Sequence, residues 1–236
     1  MSGRDDMSRR REMGGQDGMG GQGSVGGRGD DAERDRLITT ARAIAARSLT
    51  HGSTGNVSVR AGEHILVTPT GSSLATVRAA ELSVIDADGA HVCGPRPSKE
   101  AFLHAAMLRA RPDAGAVVHT HSTYAAAVSC LARLDRHDVL PPLTAYYAMR
   151  VGTLPMLPYF APGDSRMAGA VEASARDHAA LLLSNHGPVT AAADLDRALE
   201  MAEEIEETAK LFLLLRGART SPLTEAQRTA LRPAAH

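Results

Sequence analysis

Residues 116–121 read AVVHTH, an apolar run that ends in two histidines separated by one threonine. The run is short and holds two valines in a row, which suits a buried strand better than a helix. A second apolar run, ALLLSNHG from Ala180, also closes on a histidine, His186. Buried strands need cover, so the segments between and around them are expected to supply it.

Helical spacing accounts for most of that cover. Leu37, Ile38, Ala41, Ile44 and Ala45 recur at helical intervals within residues 32–47. In PSKEAFLHAAMLRARPD, Pro97 and Ser98 mark a helix start with Ser98 as N-cap. Phe102, Leu103, Ala106 and Leu108 then form the apolar face and Pro112 stops it. Residues 122–134 and 167–176 read as further helices. From Asp194, DLDRALEMAEEIEETAKLFLLLRG sets Leu195, Leu199, Ala202, Ile205, Ala209 and Phe212 on one stripe of a long closing helix. Strands are expected at 57–59, 65–67, 82–86 and 116–121 and in the run 180–187 that leads into His186, with a short extended piece at 151–155. This is neither a regular βαβ series nor a run of strands alone. The expected fold class is α/β (α+β), a sheet covered by helices.

The 236 residues, 43% apolar, are enough for one well-buried core. Residues 1–29 hold ten glycines and little to bury, so a disordered tail is expected over 1–30, a catalytic domain over 31–220 and a C-terminal tail over 221–236. A net charge of -1, with no basic stripe, leaves no electrostatic footprint for nucleic acid. With no Trp, three Phe and four Tyr, a base-stacking platform is excluded as well, and the partner is expected to be a small molecule. No segment reaches membrane-spanning length, and Met1-Ser2-Gly3 opens without an apolar leader. Cys93 and Cys130 are therefore expected as free thiols in a reducing cytoplasm.

Side chains two apart on a strand share a face, so His119 and His121 can address one ion while Thr120 turns away. Three neutral imidazoles with an open fourth position suit Zn²⁺ or a similar divalent ion. The spacing alone leaves His186 open between a third ligand and an ordinary strand-end histidine. His104 reads as a plain helix residue. Glu100, in the first turn of its helix, gains from the helix dipole. The capping-box position belongs to Ala101, so Glu100 has no partner assigned by pattern. Gly52, Gly55 and Gly71 sit in polar turns with Ser53, Thr54, Asn56 and Thr70, neutral donors suited to phosphate or sugar oxygens. Ordinary hairpin turns fit the same pattern.

Five segments in order, GSTGNVS (52–58), TPTGSS (68–73), PSKE (97–100), AVVHTHS (116–122) and NHG (185–187), resemble the signposts of the class II aldolase/adducin family over residues 32–216. Within it, PSKEAFLHAAMLRARPDAGAVVHTHS, LPPLTAYYAMRVG (140–152) and EEIEETAKLFLLLRG (203–217) are most similar to the 3-oxo-tetronate 4-phosphate decarboxylases. The resemblance implies a three-layered fold with a largely antiparallel central sheet, and a homotetramer with sites between subunits. It implies a divalent metal, Zn²⁺ first with Mn²⁺ or Co²⁺ as alternatives, on His119, His121 and His186, with Glu100 as catalytic carboxylate and further ligand. It places phosphate and substrate on Ser53, Gly55, Asn56, Thr70, Gly71 and Ser98. Tyr146 and Tyr147 lie close to the tyrosine that the fuculose-phosphate aldolases contribute from a neighbouring subunit, and Lys99 stands where those enzymes have a second serine. Lys99 and Tyr147 are taken as substrate-binding candidates. The implied reaction is decarboxylation of 3-oxo-tetronate 4-phosphate to dihydroxyacetone phosphate and CO2. Alternatives are a sugar-phosphate aldolase, a pentulose-phosphate 4-epimerase, or a non-enzymatic adducin-like scaffold.

Overall fold

The computed structural model describes residues 28–231. In chain order the elements are α1 (Arg28–Ala46), β1 (Asn56–Ala61), β2 (His64–Val67), β3 (Ser83–Ile85), β4 (His91–Cys93), α2 (Ala101–Ala110), β5 (Ala116–His119), α3 (Thr123–Ser129), α4 (Ala145–Arg150), β6 (Met156–Leu157), α5 (Met167–Ala175), β7 (Ala180–Leu183), β8 (Pro188–Ala192), α6 (Leu195–Leu214) and α7 (Glu225–Leu231). The strands form one sheet in the order β4-β3-β2-β1-β5-β8-β7-β6, antiparallel everywhere except the β6–β7 edge pair.

Strand alternation sorts the core into layers. Val117, Leu181, Leu183 and Val189 pack with α2 and α5 on one face. Ala116 and Val118, one residue to either side, pack with α1 and the N-terminal half of α6 on the other. Further along, Ala180 and Leu182 join α3, α4 and the rest of α6. The result is the expected three-layered fold. Each buried Leu or Ile of the α6 stripe, such as Leu195 and Ile205, stabilises it by about 1.5–3 kcal/mol. Asp194 caps the helix, its side chain accepting from the Arg197 N–H.

Several expected boundaries shift. The helix placed on Ser98 begins at Ala101, and the Ser98 hydroxyl instead accepts the Glu100 N–H at 3.2 Å. Residues 98–100 form a turn that points the Glu100 side chain into the sheet end rather than back at its own helix. β5 stops at His119, so His121 stands just beyond the strand. The helix read over 122–134 is only α3, which ends at Ser129 with Cys130 as C-cap, and the chain turns again at Arg133, whose φ is +63°. β8, between β5 and β7, and the short α4 and β4 had no reading in the sequence. The glycine-rich tail lies outside the described residues as far as 27, and α1 begins at Arg28. Within the C-terminal stretch, α7 holds to the body through Arg228, which donates to the Gly152 carbonyl at 3.2 Å.

Candidate metal centre

Four elements deliver the site. β1 and β5 pair with Asn56 opposite His119, and β5 and β8 pair with His119 opposite Val189. His119 follows Val117 by two, so it faces the α2 layer, where Glu100 enters from the start of α2. His186 arrives on the β7–β8 turn, in which Asn185 holds φ +54°, a left-handed conformation that Asn tolerates. That turn is pinned by the Asn185 N–H on the Ser129 carbonyl and the His186 N–H on the Ser129 hydroxyl, both at 3.1 Å. Gly187 permits the approach to β5, since a Cβ there would stand 2.2 Å from the Thr120 carbonyl oxygen.

The Nε2 atoms of His119, His121 and His186 lie 3.1, 3.1 and 3.4 Å from one another. Glu100 closes the group, Oε2 at 3.4 Å from His119 Nε2 and Oε1 at 3.2 Å from His186 Nε2. These separations match the edge of a tetrahedron with metal–nitrogen bonds of 2.0–2.1 Å, about 3.3–3.4 Å. The chemistry agrees. His119 Nδ1 lies 2.9 Å from the Pro188 carbonyl, which can only accept, so the ring proton sits on Nδ1 and a bare lone pair is left on Nε2. Burial, chiefly, holds His119 below the usual histidine range and pushes His121 down to about 3, keeping both rings neutral as a metal requires. Lone pairs converging at 3.1–3.4 Å call for a cation between them. The four residues fit a divalent metal.

The centre opens on a cleft of about 270 Å³. Ser53, Gly55, Asn56, Thr70, Gly71, Ser98 and Lys99 all line it, together with Thr54, Pro69 and Pro162. The 50–55 loop is held by Thr50, whose hydroxyl lies 2.9 Å from that of Thr54 and donates to the Thr54 carbonyl. Gly55, at φ +75°, has room for no side chain: a Cβ would lie 2.9 Å from Thr50 Oγ1 and 3.0 Å from the His119 carbonyl. The 68–71 loop is tied to the start of α2 by the Ser98 N–H on the Thr68 carbonyl at 3.2 Å. Both turns thus end beside Glu100.

Tyr147 is not in this cleft. α4 turns it inward, where it is fully buried among the α3, α4 and α6 side chains, while Tyr146 faces solvent. Burial raises the Tyr147 phenol well above its usual range. His104, read as a plain helix residue, lies directly behind the site. It is fully buried, with Ser58 Oγ at 2.7 Å from Nδ1 and Asn56 Oδ1 against Nε2. Its place one turn after Glu100 is visible in the sequence. Its partners on β1 are not.

Fold and site together define a layered α/β domain with a three-histidine, one-glutamate cluster able to hold a divalent cation beside a polar cleft. The chain belongs to the class II aldolase family, matching the Class II Aldolase and Adducin N-terminal domain over residues 35–213. It is 43% identical over 199 residues to the 3-oxo-tetronate 4-phosphate decarboxylase of Haemophilus influenzae, covering 84% of this chain and 95% of that one. To the L-fuculose phosphate aldolase of the same organism it is 33% identical over 183 residues, 76% and 82% of the two chains. Among solved structures, YgbL from Klebsiella pneumoniae, whose reaction its description leaves open among aldolase, epimerase and decarboxylase, superposes with a TM-score of 0.84. The identity there is 38%, over 87% of this chain and all of that one.

Among the described residues no helix is long and apolar enough to cross a membrane. Cys93 and Cys130 are both exposed and free.

Proposed function

We propose that the chain is a metal-dependent decarboxylase that converts 3-oxo-tetronate 4-phosphate to dihydroxyacetone phosphate and CO2. The observation that carries this reading is the His119–His121–His186–Glu100 cluster at the head of a cleft that combines neutral phosphate-type donors with one cation, Lys99. A substrate with phosphate at one end and carboxylate at the other needs both. The higher identity to a named decarboxylase than to a named aldolase supports the choice.

A divalent ion on this cluster, Zn²⁺ before Mn²⁺ or Co²⁺ given three nitrogen ligands, would supply Lewis-acid polarisation of the substrate ketone. Ser53, Gly55, Asn56, Thr70, Gly71 and Ser98 bind the phosphate beside the N-terminus of α2, whose helix dipole favours an anion. Lys99 faces the carboxylate. When the C1–C2 bond breaks, its electrons form the C2–C3 double bond and the ketone oxygen takes the charge. Glu100 gives its proton to C2. Burial raises the Glu100 carboxyl, and the Asn56 amide that donates to its Oε2 lowers it. The two anionic ends of the substrate raise it again, so proton uptake accompanies binding.

Metal-loaded protein given 3-oxo-tetronate 4-phosphate is expected to release CO2 and dihydroxyacetone phosphate in equal amounts. No CO2 from protein carrying one divalent ion per chain would transfer the reading to aldol cleavage, which passes through the same enediolate and shows aldehyde dependence in reverse, or to 4-epimerisation of a sugar phosphate, which does not. Glu100→Gln is expected to keep metal while slowing turnover roughly 10²–10⁴-fold. The same family reading carries a cytoplasmic homotetramer. The exposed Tyr146, Met149 and Tyr159 support a contact face, and sedimentation analysis tests it.

A further inference from the structure

Behind Glu100 runs a chain of buried polar groups of which the proposed chemistry uses Asn56 alone. Ser58 and Asn56 lie two apart on β1 and face α2 together. Asn56 Nδ2 donates to Glu100 Oε2 at 2.8 Å, Asn56 Oδ1 meets His104 Nε2, and His104 Nδ1 lies 2.7 Å from Ser58 Oγ. Ser58 and His104 are fully buried and Asn56 nearly so.

The direction of every bond in this chain follows from its end. A carboxylate only accepts, so Asn56 must turn its NH2 to Glu100 and its carbonyl to His104. That carbonyl needs a donor, which puts the His104 proton on Nε2. Burial pushes the ring down to about 3, so it is neutral and Nδ1 is an acceptor. The Ser58 hydroxyl then donates to it. In the opposite orientation, an amide flipped by 180° would set its carbonyl against the carboxylate, a repulsive contact that neither His104 tautomer relieves.

We propose that His104 is a positioning residue which, with Ser58, fixes the Asn56 amide so that its NH2 is committed to Oε2 of Glu100, leaving Oε1 as the oxygen that exchanges a proton with the substrate. The inference rests on Glu100 as the proton carrier of the proposed function. It adds which of the two carboxylate oxygens acts and what sets the choice. Its requirement is narrow: a donor at the Nε2 position, not merely a polar group that fills the space. A glutamine at 104 can place its NH2 where Nε2 stands, whereas an asparagine reaches only the Nδ1 position.

Two experiments on the full chain test this. In ¹⁵N-histidine-labelled wild-type protein, long-range proton–nitrogen spectra, with His104 assigned by the signal missing from H104Q, are expected to show the Nε2–H tautomer. An Nδ1–H tautomer would overturn the proposal. Zn²⁺-loaded protein is then given dihydroxyacetone phosphate in D2O, and exchange of its carbon-bound proton is followed. H104N is expected to slow exchange about 10–100-fold with metal content and KM held. H104Q is expected to retain most of the rate. Equal rates in the two variants, whether both slow or both normal, would overturn the relay. Should both variants fail to fold, the wild-type tautomer decides. Glu100→Gln separates the two levels. Wild-type exchange in it sinks the Glu100 assignment and the relay with it, whereas loss of exchange there with normal exchange in H104N sinks the relay alone.

Discussion

Gly187→Ala probes how the centre is assembled without touching a ligand. The added Cβ would stand 2.2 Å from the Thr120 carbonyl oxygen, 3.2 Å from its carbon and 3.4 Å from the His121 Cα. A carbon seldom approaches a carbonyl oxygen closer than about 3.3 Å, so the β7–β8 turn and the end of β5 must part by roughly 1 Å. Both neighbours are backbone, so no side chain can swing aside. Two bonds lie in the path, the Thr120 N–H to Pro188 carbonyl at 3.2 Å and His119 Nδ1 to the same oxygen at 2.9 Å. His121 and His186, now 3.1 Å apart at Nε2, would separate by about the same 1 Å, beyond the tetrahedral edge that Zn²⁺ requires. Overpacking of this kind costs about 1–3 kcal/mol in stability. Loss of the outer hydrogen bond that orients His119 weakens metal binding about 10–100-fold. At saturating metal a 100-fold weaker site removes about 2.7 kcal/mol of Zn²⁺-dependent stabilisation. Calorimetric Zn²⁺ titration and thermal melts with and without metal measure the two losses separately. Gly169→Ala in α5, where a Cβ meets nothing within 4 Å, is the control and is expected to melt slightly higher. A Gly187→Ala protein that binds Zn²⁺ and melts as wild type does would refute the close approach on which the centre is built.

Acid should destabilise the protein through its buried imidazoles. His104 is held down to about 3 by burial, against an ordinary value near 6.5, so below pH 6.5 the unfolded chain takes up a proton that the folded chain refuses. Its contribution is complete above pH 6.5 and is lost between there and about pH 3, at up to about 1.4 kcal/mol per pH unit. Urea midpoints measured across this window are expected to fall with pH, and less steeply in His104→Gln; parallel slopes would count against the buried neutral ring. Glu206 on α6 caps α3, its carboxylate accepting the Tyr124 N–H at 2.9 Å and the Ala125 N–H at 2.8 Å. Glu206→Ala is expected to cost about 1–3 kcal/mol in denaturant melts by orphaning those donors, with Zn²⁺ affinity unchanged. Asp194→Ala, which removes the α6 cap, should cost about 0.5–2 kcal/mol by the same measurement.

Much of the site is legible in the amino-acid order. Residues that take part through their own chemistry and local spacing announce themselves: His119 and His121 two apart after an apolar run, Glu100 at a helix start, Ser53, Gly55, Thr70 and Gly71 in polar turns. The α6 stripe is equally plain, because its period is local. Yet the histidine pair does not share a strand as its spacing suggests, since β5 ends at His119 and it is the following turn that brings His121 to 3.1 Å from its neighbour. β8 leaves little signal because PVTAA is short, begins with proline and lacks large apolar side chains. It nevertheless supplies the Pro188 carbonyl that sets the His119 tautomer.

By itself the sequence determined most helical and extended segments, the layered class and the metal-capable pair His119 and His121, since each depends on periodicity or residue type within a few positions. Tertiary structure alone decided which partners those side chains meet. His186 joins His119 because β8 inserts between β5 and β7. Tyr147 turns into the core and away from the cleft because α4 packs against α6. His104 becomes part of the centre because β1 lies beneath α2 with Asn56 and Ser58 on the shared face. Pairing across a sheet and packing between layers join residues 44 to 67 positions apart, and no local pattern encodes a contact of that reach.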